Sequence, residues 1–144
     1  MNQPAVPVRT LVVDDHPMHR SAMVMTLERL GHTTREAGTV EAALALLRSM
    51  SFDLVITDME LPRADGEPAR LECGLEVIRE ARAADPDAAV LAITGYATVA
   101  NAVQAMQEGA LDYIHKGSSL AEIRVRLEQV LEKRQLRRAR RPEN

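Results

Sequence analysis

Apolar runs and amphipathic stretches alternate five times along this chain of 144 residues. Four runs are rich in Val, Ile and Leu, as expected of strands covered on both faces: "VRTLVVD", "FDLVITD", "AAVLAIT" and "LDYIHK". A fifth run, "HTTREA", is polar enough to form a sheet edge. Helices are predicted near residues 17–30, 39–50, 74–84, 98–108 and 119–138. Repeated strand-helix units of this kind predict an α/β fold with a five-stranded, doubly wound parallel sheet.

Local signals support the predicted helix ends. Gly31 and Gly109 follow two of the helices, where glycine commonly terminates a helix. "SLAE", from Ser119 to Glu122, has the spacing of a capping box at the start of the last helix.

The bulk composition excludes several classes of protein. No apolar run approaches the roughly 18 residues of a membrane span, and the first residues lack the pattern of a secretory signal. The single cysteine, Cys73, has no partner for an internal disulfide, which fits a reducing compartment. We therefore expect a cytoplasmic protein that does not contact membranes.

Charge is unevenly distributed along the chain. Residues 1–132 hold 12 Lys and Arg against 20 Asp and Glu, whereas residues 133–144 hold six Lys and Arg against one Glu. Only three aromatic residues are present, so nucleobases have little to stack on. The basic tail predicts at most non-specific attraction to polyanions, and no specific recognition of nucleic acid.

Polar residues stand where four of the predicted strands end. Asp14 and Asp15 follow the first strand, Asp58 ends the third, Thr94 ends the fourth and Lys116 ends the fifth. In open α/β sheets the carboxyl ends of the strands meet at one edge, where function collects. The sequence therefore predicts one site with three carboxylates, a hydroxyl and an ammonium group.

This set of groups suits phosphoryl chemistry. Three neighbouring carboxylates need a compensating cation, and oxygen ligands with room for water suit Mg²⁺, for which Mn²⁺ can substitute. A neutralised carboxylate can attack a phosphoryl group, whose oxygens Lys116 and Thr94 would hold.

From Val8 to Leu131 the chain resembles the receiver domain of two-component response regulators, through "VVDD", "DLVITDMELP", "AITGYAT" and "GALDYIHK" in this order. The resemblance implies a flavodoxin-like (βα)5 fold with strand order 2-1-3-4-5. It also implies a flexible N-terminus over residues 1–7, a receiver domain over 8–131, and a basic helical extension or linker over 132–144.

The resemblance assigns roles to individual residues. Asp58 corresponds to the phosphoacceptor, Asp15 to a direct Mg²⁺ ligand and Asp14 to a ligand acting mainly through water. Asp58 itself and the main-chain carbonyl of Glu60 complete the metal ligands. Thr94 and Tyr113 correspond to the switch pair, while Glu60 and Tyr96 occupy positions that tune the phosphoryl lifetime.

Two departures from the family pattern affect loops beside the site. Gly117 replaces the proline that usually follows the lysine, so the Lys116–Gly117 bond is predicted to be trans, because a cis bond before a non-proline residue costs about 2.5–4 kcal/mol. About eight additional residues precede "LEVI". "GEPARLECG" is predicted to be an irregular surface loop overhanging Asp58, so deleting residues 67–74 should change stability little.

The leading functional prediction is a signalling switch phosphorylated on Asp58 by a histidine kinase or phosphotransfer protein. Such a protein catalyses only its own phosphorylation and slow dephosphorylation, and is not a metabolic enzyme. Its fourth helix, fifth strand and fifth helix would contact a downstream protein, and a homodimer is compatible with the resemblance.

Four alternatives stay open. One is an interaction module that works without phosphorylation, and another is the receiver part of a larger transcription regulator. A third is a Mg²⁺-dependent phosphohydrolase. Finally, His16 and His19 in "HPMH" have a spacing that can bind a transition metal, although solvated or capping histidines are more common.

Overall fold

A single parallel sheet organises the fold in the computed structural model, which describes residues 7–95 and 98–139. Its five strands lie in the order β2-β1-β3-β4-β5, as predicted. The strands and helices follow one another along the chain as β1 (Arg9–Val13), α1 (Pro17–Arg29), β2 (Thr33–Ala37), α2 (Val40–Ser49), β3 (Leu54–Asp58), α3 (Leu71–Ala84), β4 (Ala89–Thr94), α4 (Val99–Glu108), β5 (Asp112–His115) and α5 (Leu120–Ala139).

Burial of the strands follows their place in the sheet. Every residue of β3 and β4 is buried, as the dense aliphatic runs predicted. In β2 only Ala37 is buried, which confirms the prediction that this polar strand forms an edge.

Alternating residues of the strands supply two hydrophobic clusters, one on each face of the sheet. On one face Leu11 and Val55 belong to a cluster with buried residues of α2, α3 and α4. On the other face Val12 and Ile56 belong to a cluster with buried residues of α1 and α5. The molecule is therefore a three-layer sandwich, and the carboxyl edge of the sheet stays open between the layers.

Two of the predicted helix boundaries have a clear local cause. Gly109 terminates α4 with φ of 120°, a left-handed conformation that a side chain would oppose. At the start of α5, the Ser119 hydroxyl accepts a hydrogen bond from the backbone N–H of Glu122 at 3.2 Å.

The start of α3 corrects a prediction. Residues 71–74 were expected to belong to a surface loop, but α3 begins at Leu71, and Cys73 and Gly74 are buried. A Cβ atom at Gly74 would collide with the backbone carbonyl of Met59, so this glycine allows the helix to pack directly against the chain that follows β3. The loop prediction was wrong for these residues because the glycine serves close packing.

The shorter segment from 63 to 70 does form a loop. Leu61 and Arg70 close it through an antiparallel bridge, in which the Arg70 N–H donates to the Leu61 carbonyl at 2.9 Å. Its residues are mostly exposed.

The last helix runs without a break across the boundary predicted at residue 131 and continues to Ala139. Arg134 lies beyond that boundary, yet its guanidinium pairs with Asp53 at 2.8 Å. The N-terminus was predicted to be flexible over residues 1–7, of which 1–6 lie outside the described residues, as does the end of the basic tail, 140–144. Within the described part of the chain, no helix is both long and apolar enough to cross a membrane.

Candidate functional site

Side chains from three strand ends meet at the carboxyl edge of the sheet. Asp14 follows β1 directly, Asp58 is the last residue of β3, and Lys116 follows β5. Asp14 and Asp58 are buried, with 8% and 4% of their surface exposed. Because β1 and β3 are adjacent parallel strands, their ends bring the two carboxylates together, as the sequence predicted.

Lys116 is the cation of this group. Its Nζ atom donates to Oδ2 of Asp58 at 2.7 Å and to Oδ1 of Asp14 at 3.4 Å. Burial by itself lowers the pKa of the ammonium group, but the hydrogen bond and charge of Asp58, together with Asp14, outweigh burial and raise that pKa. Lys116 is therefore charged at neutral pH and fixed on the face of Asp58.

Asp58 is held at both carboxylate oxygens. Oδ2 accepts from Lys116, and Oδ1 accepts from the backbone N–H of Glu60 at 3.2 Å. Burial raises the pKa of Asp58, and the two hydrogen bonds only partly oppose this effect. The carboxylate thus has a fixed orientation and a weakly hydrated charge.

Asp15 and His16 complete a group of potential metal ligands. One ligand atom from each of Asp14, Asp15, His16 and Asp58 lies within 4.8 Å of all the others. Oδ1 of Asp15 is buried, and no described residue forms a hydrogen bond with it. A buried carboxylate oxygen that accepts no hydrogen bond is costly unless a cation lies beside it, so the site fits a divalent ion held by oxygen ligands.

Thr94 and Tyr113, the predicted switch pair, lie on neighbouring strands. Thr94 ends β4 and is 1% exposed. Tyr113 pairs in register with Ala92, two residues before Thr94, so the two side chains share a face of the sheet. The Tyr113 ring is half-buried against the cluster beneath α2, α3 and α4.

Of the two residues predicted to tune the phosphoryl lifetime, Glu60 lies among the described residues and Tyr96 does not. Glu60 follows β3 closely, is half-buried and contacts Asp58 through its backbone. Tyr96 lies outside the described residues.

A cavity of about 420 Å³ opens over the carboxylates. It is lined by Asp15, His16, His19, Asp58, Glu60, Ala69, Gly95, His115 and Lys116. Ala69 belongs to the 63–70 loop, so the loop borders the site, as predicted for the insertion. Asp58 lines this cavity, so the cavity gives small molecules a route to its carboxylate.

Hydrogen bonds of His115 connect two loops, the one that carries Lys116 and the one that carries Gly95. The Lys116–Gly117 bond is trans, as predicted. The Gly117 N–H donates to Nδ1 of His115 at 3.0 Å, and Nε2 of His115 lies 3.1 Å from the Gly95 carbonyl. His115 therefore connects the loop after β4 to the loop that carries Lys116. The sequence analysis missed this role of His115. The signal for it is that Gly117, unlike proline, has an N–H that can donate a hydrogen bond.

The fold is an α/β sandwich with three acidic residues and a lysine at one sheet edge. The family model "Response regulator receiver domain" matches residues 10–128. The chain belongs to this family, the receiver domains of the response regulators in two-component systems.

Relatives and solved structures agree with this assignment. The chain is 36% identical to the response regulator protein PilR of Pseudomonas aeruginosa over 81% of its own length, and 36% identical to the C4-dicarboxylate transport transcriptional regulatory protein DctD of Rhizobium meliloti over 94%. It spans only 24% of PilR and 29% of DctD.

Among solved structures, a CheY-like receiver domain protein of Methanospirillum hungatei superposes with a TM-score of 0.80 at 26% identity, covering 92% of this chain and 99% of that one. A response regulator of Burkholderia pseudomallei, with a phosphorylated aspartic acid, calcium ion and citrate, gives 0.73 at 30% identity, covering 92% and 73%.

Proposed function

We propose that this protein is a signalling switch whose Asp58 accepts a phosphoryl group from the phosphohistidine of a histidine kinase or phosphotransfer protein. The observation that carries the proposal is the environment of Asp58, which is oriented by Lys116 and the Glu60 N–H at the floor of an open cavity. A similar structure, that of the Burkholderia pseudomallei regulator, contains a phosphorylated aspartic acid.

The proposed reaction transfers one phosphoryl group. A carboxylate oxygen of Asp58 attacks phosphorus, the bond from phosphorus to the donor histidine nitrogen breaks, and its electron pair stays on the imidazole. The acyl phosphate is later hydrolysed, which returns the carboxylate and inorganic phosphate. Attack by Asp58 is favoured because burial leaves its charge weakly hydrated.

Other residues hold charge around the transferred group. Lys116, already charged beside Asp58, would bind a phosphoryl oxygen, and the Thr94 hydroxyl at the end of the neighbouring strand would bind another. Thr94 is the last residue of β4 and Lys116 directly follows β5, so the ends of these two strands position both groups before the reaction.

Asp15, Asp58 and the main-chain carbonyl of Glu60 are the proposed direct ligands of Mg²⁺, with Asp14 acting mainly through water. The bound ion would neutralise the carboxylates and reduce repulsion between Asp58 and an anionic phosphoryl donor. The buried Oδ1 of Asp15, which accepts no hydrogen bond from a described residue, supports this ligand set.

The proposed output passes through Thr94 and Tyr113 to the surface formed by α4, β5 and α5. Val99, Val103 and Met106 of α4 are 83%, 48% and 47% exposed. Their spacing of four and three residues places them on one face of the helix. An exposed apolar stripe of this kind supports binding of a downstream protein or a second copy of the chain.

Intact-mass measurement after treatment with acetyl phosphate and Mg²⁺ tests the proposal. The wild-type protein should gain roughly 80 Da, the mass that one phosphoryl group adds. Asp58→Asn should lose the adduct, whereas Asp65→Asn, a matched change in the exposed loop, should retain it. A wild-type protein that stays unmodified would favour an interaction module that works without phosphorylation.

A further inference from the structure

We propose that His16 supplies an imidazole nitrogen to the metal site, so that the site selects a transition-metal ion of the Co²⁺ to Zn²⁺ range over Mg²⁺ more strongly than its oxygen ligands alone would. The inference rests on the proposed function in one respect, since it uses the same metal site. It adds a ligand and a class of metal to that site.

The backbone brings His16 to the carboxylates. His16 is the N-cap residue of α1, with Pro17 as the first helical residue. Its N–H donates to Oδ1 of Asp14 at 2.9 Å, which fixes the residue beside the site. Although 65% of the side chain is exposed, the Nδ1 side of the ring faces the cluster.

The distances match those between neighbouring ligands of one ion. Nδ1 of His16 lies 3.2 Å from Oδ1 of Asp15 and 3.5 Å from Oδ1 of Asp14. Adjacent ligands of an octahedral ion with bonds of about 2.1 Å lie about 3 Å apart. Oδ1 of Asp15 forms no hydrogen bond with a described residue, so the imidazole nitrogen of His16, 3.2 Å away, stands where a shared cation would bind both atoms.

A cation already contacts this group of atoms. Nζ of Lys116 lies 3.3 Å from Nδ1 of His16 and also contacts Asp58 and Asp14. Because an ammonium group can only donate hydrogen bonds, Nδ1 accepts in this contact. The nitrogen lone pair that a metal requires therefore points towards the position of a cation that also contacts Asp58 and Asp14.

Neither of the other two histidines beside the cavity fits this role as well. Both ring nitrogens of His115 are occupied, one by the Gly117 N–H and the other by the Gly95 carbonyl. His19 lines the cavity but is not part of the group of ligand atoms within 4.8 Å. Its ring centre lies 5.9 Å from that of His16, which makes His19 a matched control.

The chemistry of the ligands gives the selectivity. Carboxylate, carbonyl and water oxygens suit Mg²⁺, whereas imidazole binds later first-row ions more strongly. Removing His16 should therefore weaken binding of the transition metal and leave binding of Mg²⁺ almost unchanged. Substitution by Asn keeps a polar side chain at the helix start and removes the imidazole.

The test compares calorimetric affinities for Co²⁺ and for Mg²⁺ in the unphosphorylated full chain. We expect His16→Asn to reduce the ratio of Co²⁺ to Mg²⁺ affinity by at least about tenfold, the scale on which altered ligand shells change metal affinity. Mg²⁺ affinity should stay within about twofold, and His19→Asn should keep the wild-type ratio. In NMR spectra Co²⁺ should shift the ring signals of His16 more than those of His19.

Each other outcome has a definite meaning. An unchanged ratio in His16→Asn, or an equal loss in His19→Asn, would overturn the assignment of His16 while leaving the Mg²⁺ site intact. Asp15→Asn should weaken binding of both ions. If it weakens neither, the metal site of the proposed function is wrong, and the role of His16 is wrong with it.

Discussion

The ammonium nitrogen of Lys116 lies 2.7 Å from Oδ2 of Asp58, and the exposed fractions of the two side chains are only 11% and 4%. The charge of the site is not balanced by this pair, because one ammonium group faces the three carboxylates of Asp14, Asp15 and Asp58. The upward shift in the pKa of Asp58 is a consequence of its burial, with repulsion from Asp14 as a smaller contribution. When no metal ion is bound, the negative charge on Asp58 therefore opposes folding.

The first prediction is that Asp58→Asn stabilises the metal-free protein. An acid whose folded-state pKa is raised contributes stability below its ordinary value near 3.8 and loses that contribution as pH rises through the folded-state pKa. At pH 7 the ionised carboxylate is therefore a cost that the neutral amide avoids. We expect Tm in EDTA to rise by about 2–4 °C, corresponding to about 1 kcal/mol.

Addition of Mg²⁺ should reduce the difference in Tm between the wild type and Asp58→Asn, because binding to the folded state stabilises the wild type more than the variant. Asp65→Asn controls for the loss of one negative charge on the exposed loop and should change Tm little. A lower Tm for Asp58→Asn in EDTA would show that the Lys116 contact outweighs the desolvation of the carboxylate.

The second prediction is that Gly117→Pro weakens the site. Proline has no N–H, so the hydrogen bond to Nδ1 of His115 would be lost, at about 1 kcal/mol. The loop carrying Lys116 would then lose its connection through His115 to Gly95. Phosphorylation by acetyl phosphate, followed by intact mass, should slow by roughly tenfold because catalytic groups depend on close positioning.

Gly117→Ala separates the two effects of that substitution. Alanine keeps the N–H but adds a Cβ atom 2.9 Å from Nδ1 of His115, so it tests crowding alone. We expect a smaller effect than for proline. Wild-type rates in Gly117→Pro would show that the bridge through His115 does not position Lys116.

The third prediction is that Gly74→Ala destabilises the fold by about 2–4 kcal/mol, measured by urea unfolding. The added Cβ would meet the backbone of Met59, which cannot move aside as a flexible side chain can. Gly95→Ala is the matched control, since a Cβ at Gly95 meets no atom within 4 Å. Equal stability of the two variants would mean that α3 can shift away from Met59 at little cost.

The same position shows where sequence reasoning reaches its limit. Hydrophobic periodicity located the strands, and the parallel arrangement then brought Asp14, Asp58 and Lys116 to one edge. The turn-forming residues around Gly74 predicted a loop, whereas the glycine lies in a helix, where the close contact that leaves no room for a Cβ involves Met59, fifteen residues earlier. Local composition contains no information about such a contact.

The histidines show a second limit. His16 was paired in the sequence with His19, three residues later, whereas its close contacts are Asp15 and Lys116. The contact with Lys116 spans 100 residues. Adjacency to Asp15 was visible in the sequence, but the direction of the ring was not.

The fourth prediction concerns pH and His32. Burial lowers the pKa of His32 from its ordinary value of 6.5, and the charge of Asp53 only partly opposes this. The unfolded chain therefore binds a proton more readily, so the stability associated with neutral His32 is complete above pH 6.5 and is lost as pH falls towards the lowered value. Urea unfolding between pH 7.5 and pH 5 should show this loss.

His32→Gln should flatten the dependence of stability on pH in that range, while His19→Gln, a change at an exposed histidine, should leave it unaltered. The Nδ1 atom of His32 lies 2.9 Å from the buried hydroxyl of Thr10, so glutamine keeps a polar partner there. A slope that persists in His32→Gln would assign the pH dependence to other groups.

The fifth prediction is that the end of α5 stabilises the receiver fold through Arg134. Its guanidinium donates to Oδ1 of Asp53 at 2.8 Å, while the backbone N–H of Arg9 donates to the other oxygen. Arg134→Ala would remove the charged partner of a carboxylate beside the sheet, and we expect a loss of about 1–2 kcal/mol in urea unfolding.

Arg138→Ala removes an equal charge from an exposed position of the same helix and should change stability by less than about 0.5 kcal/mol. Equal effects of the two substitutions would mean that only the net charge of the tail matters. A larger loss of stability for Arg134→Ala would instead show that the folded unit extends past residue 131. Arg134, which pairs with Asp53, lies in the segment that was predicted to be an extension or linker.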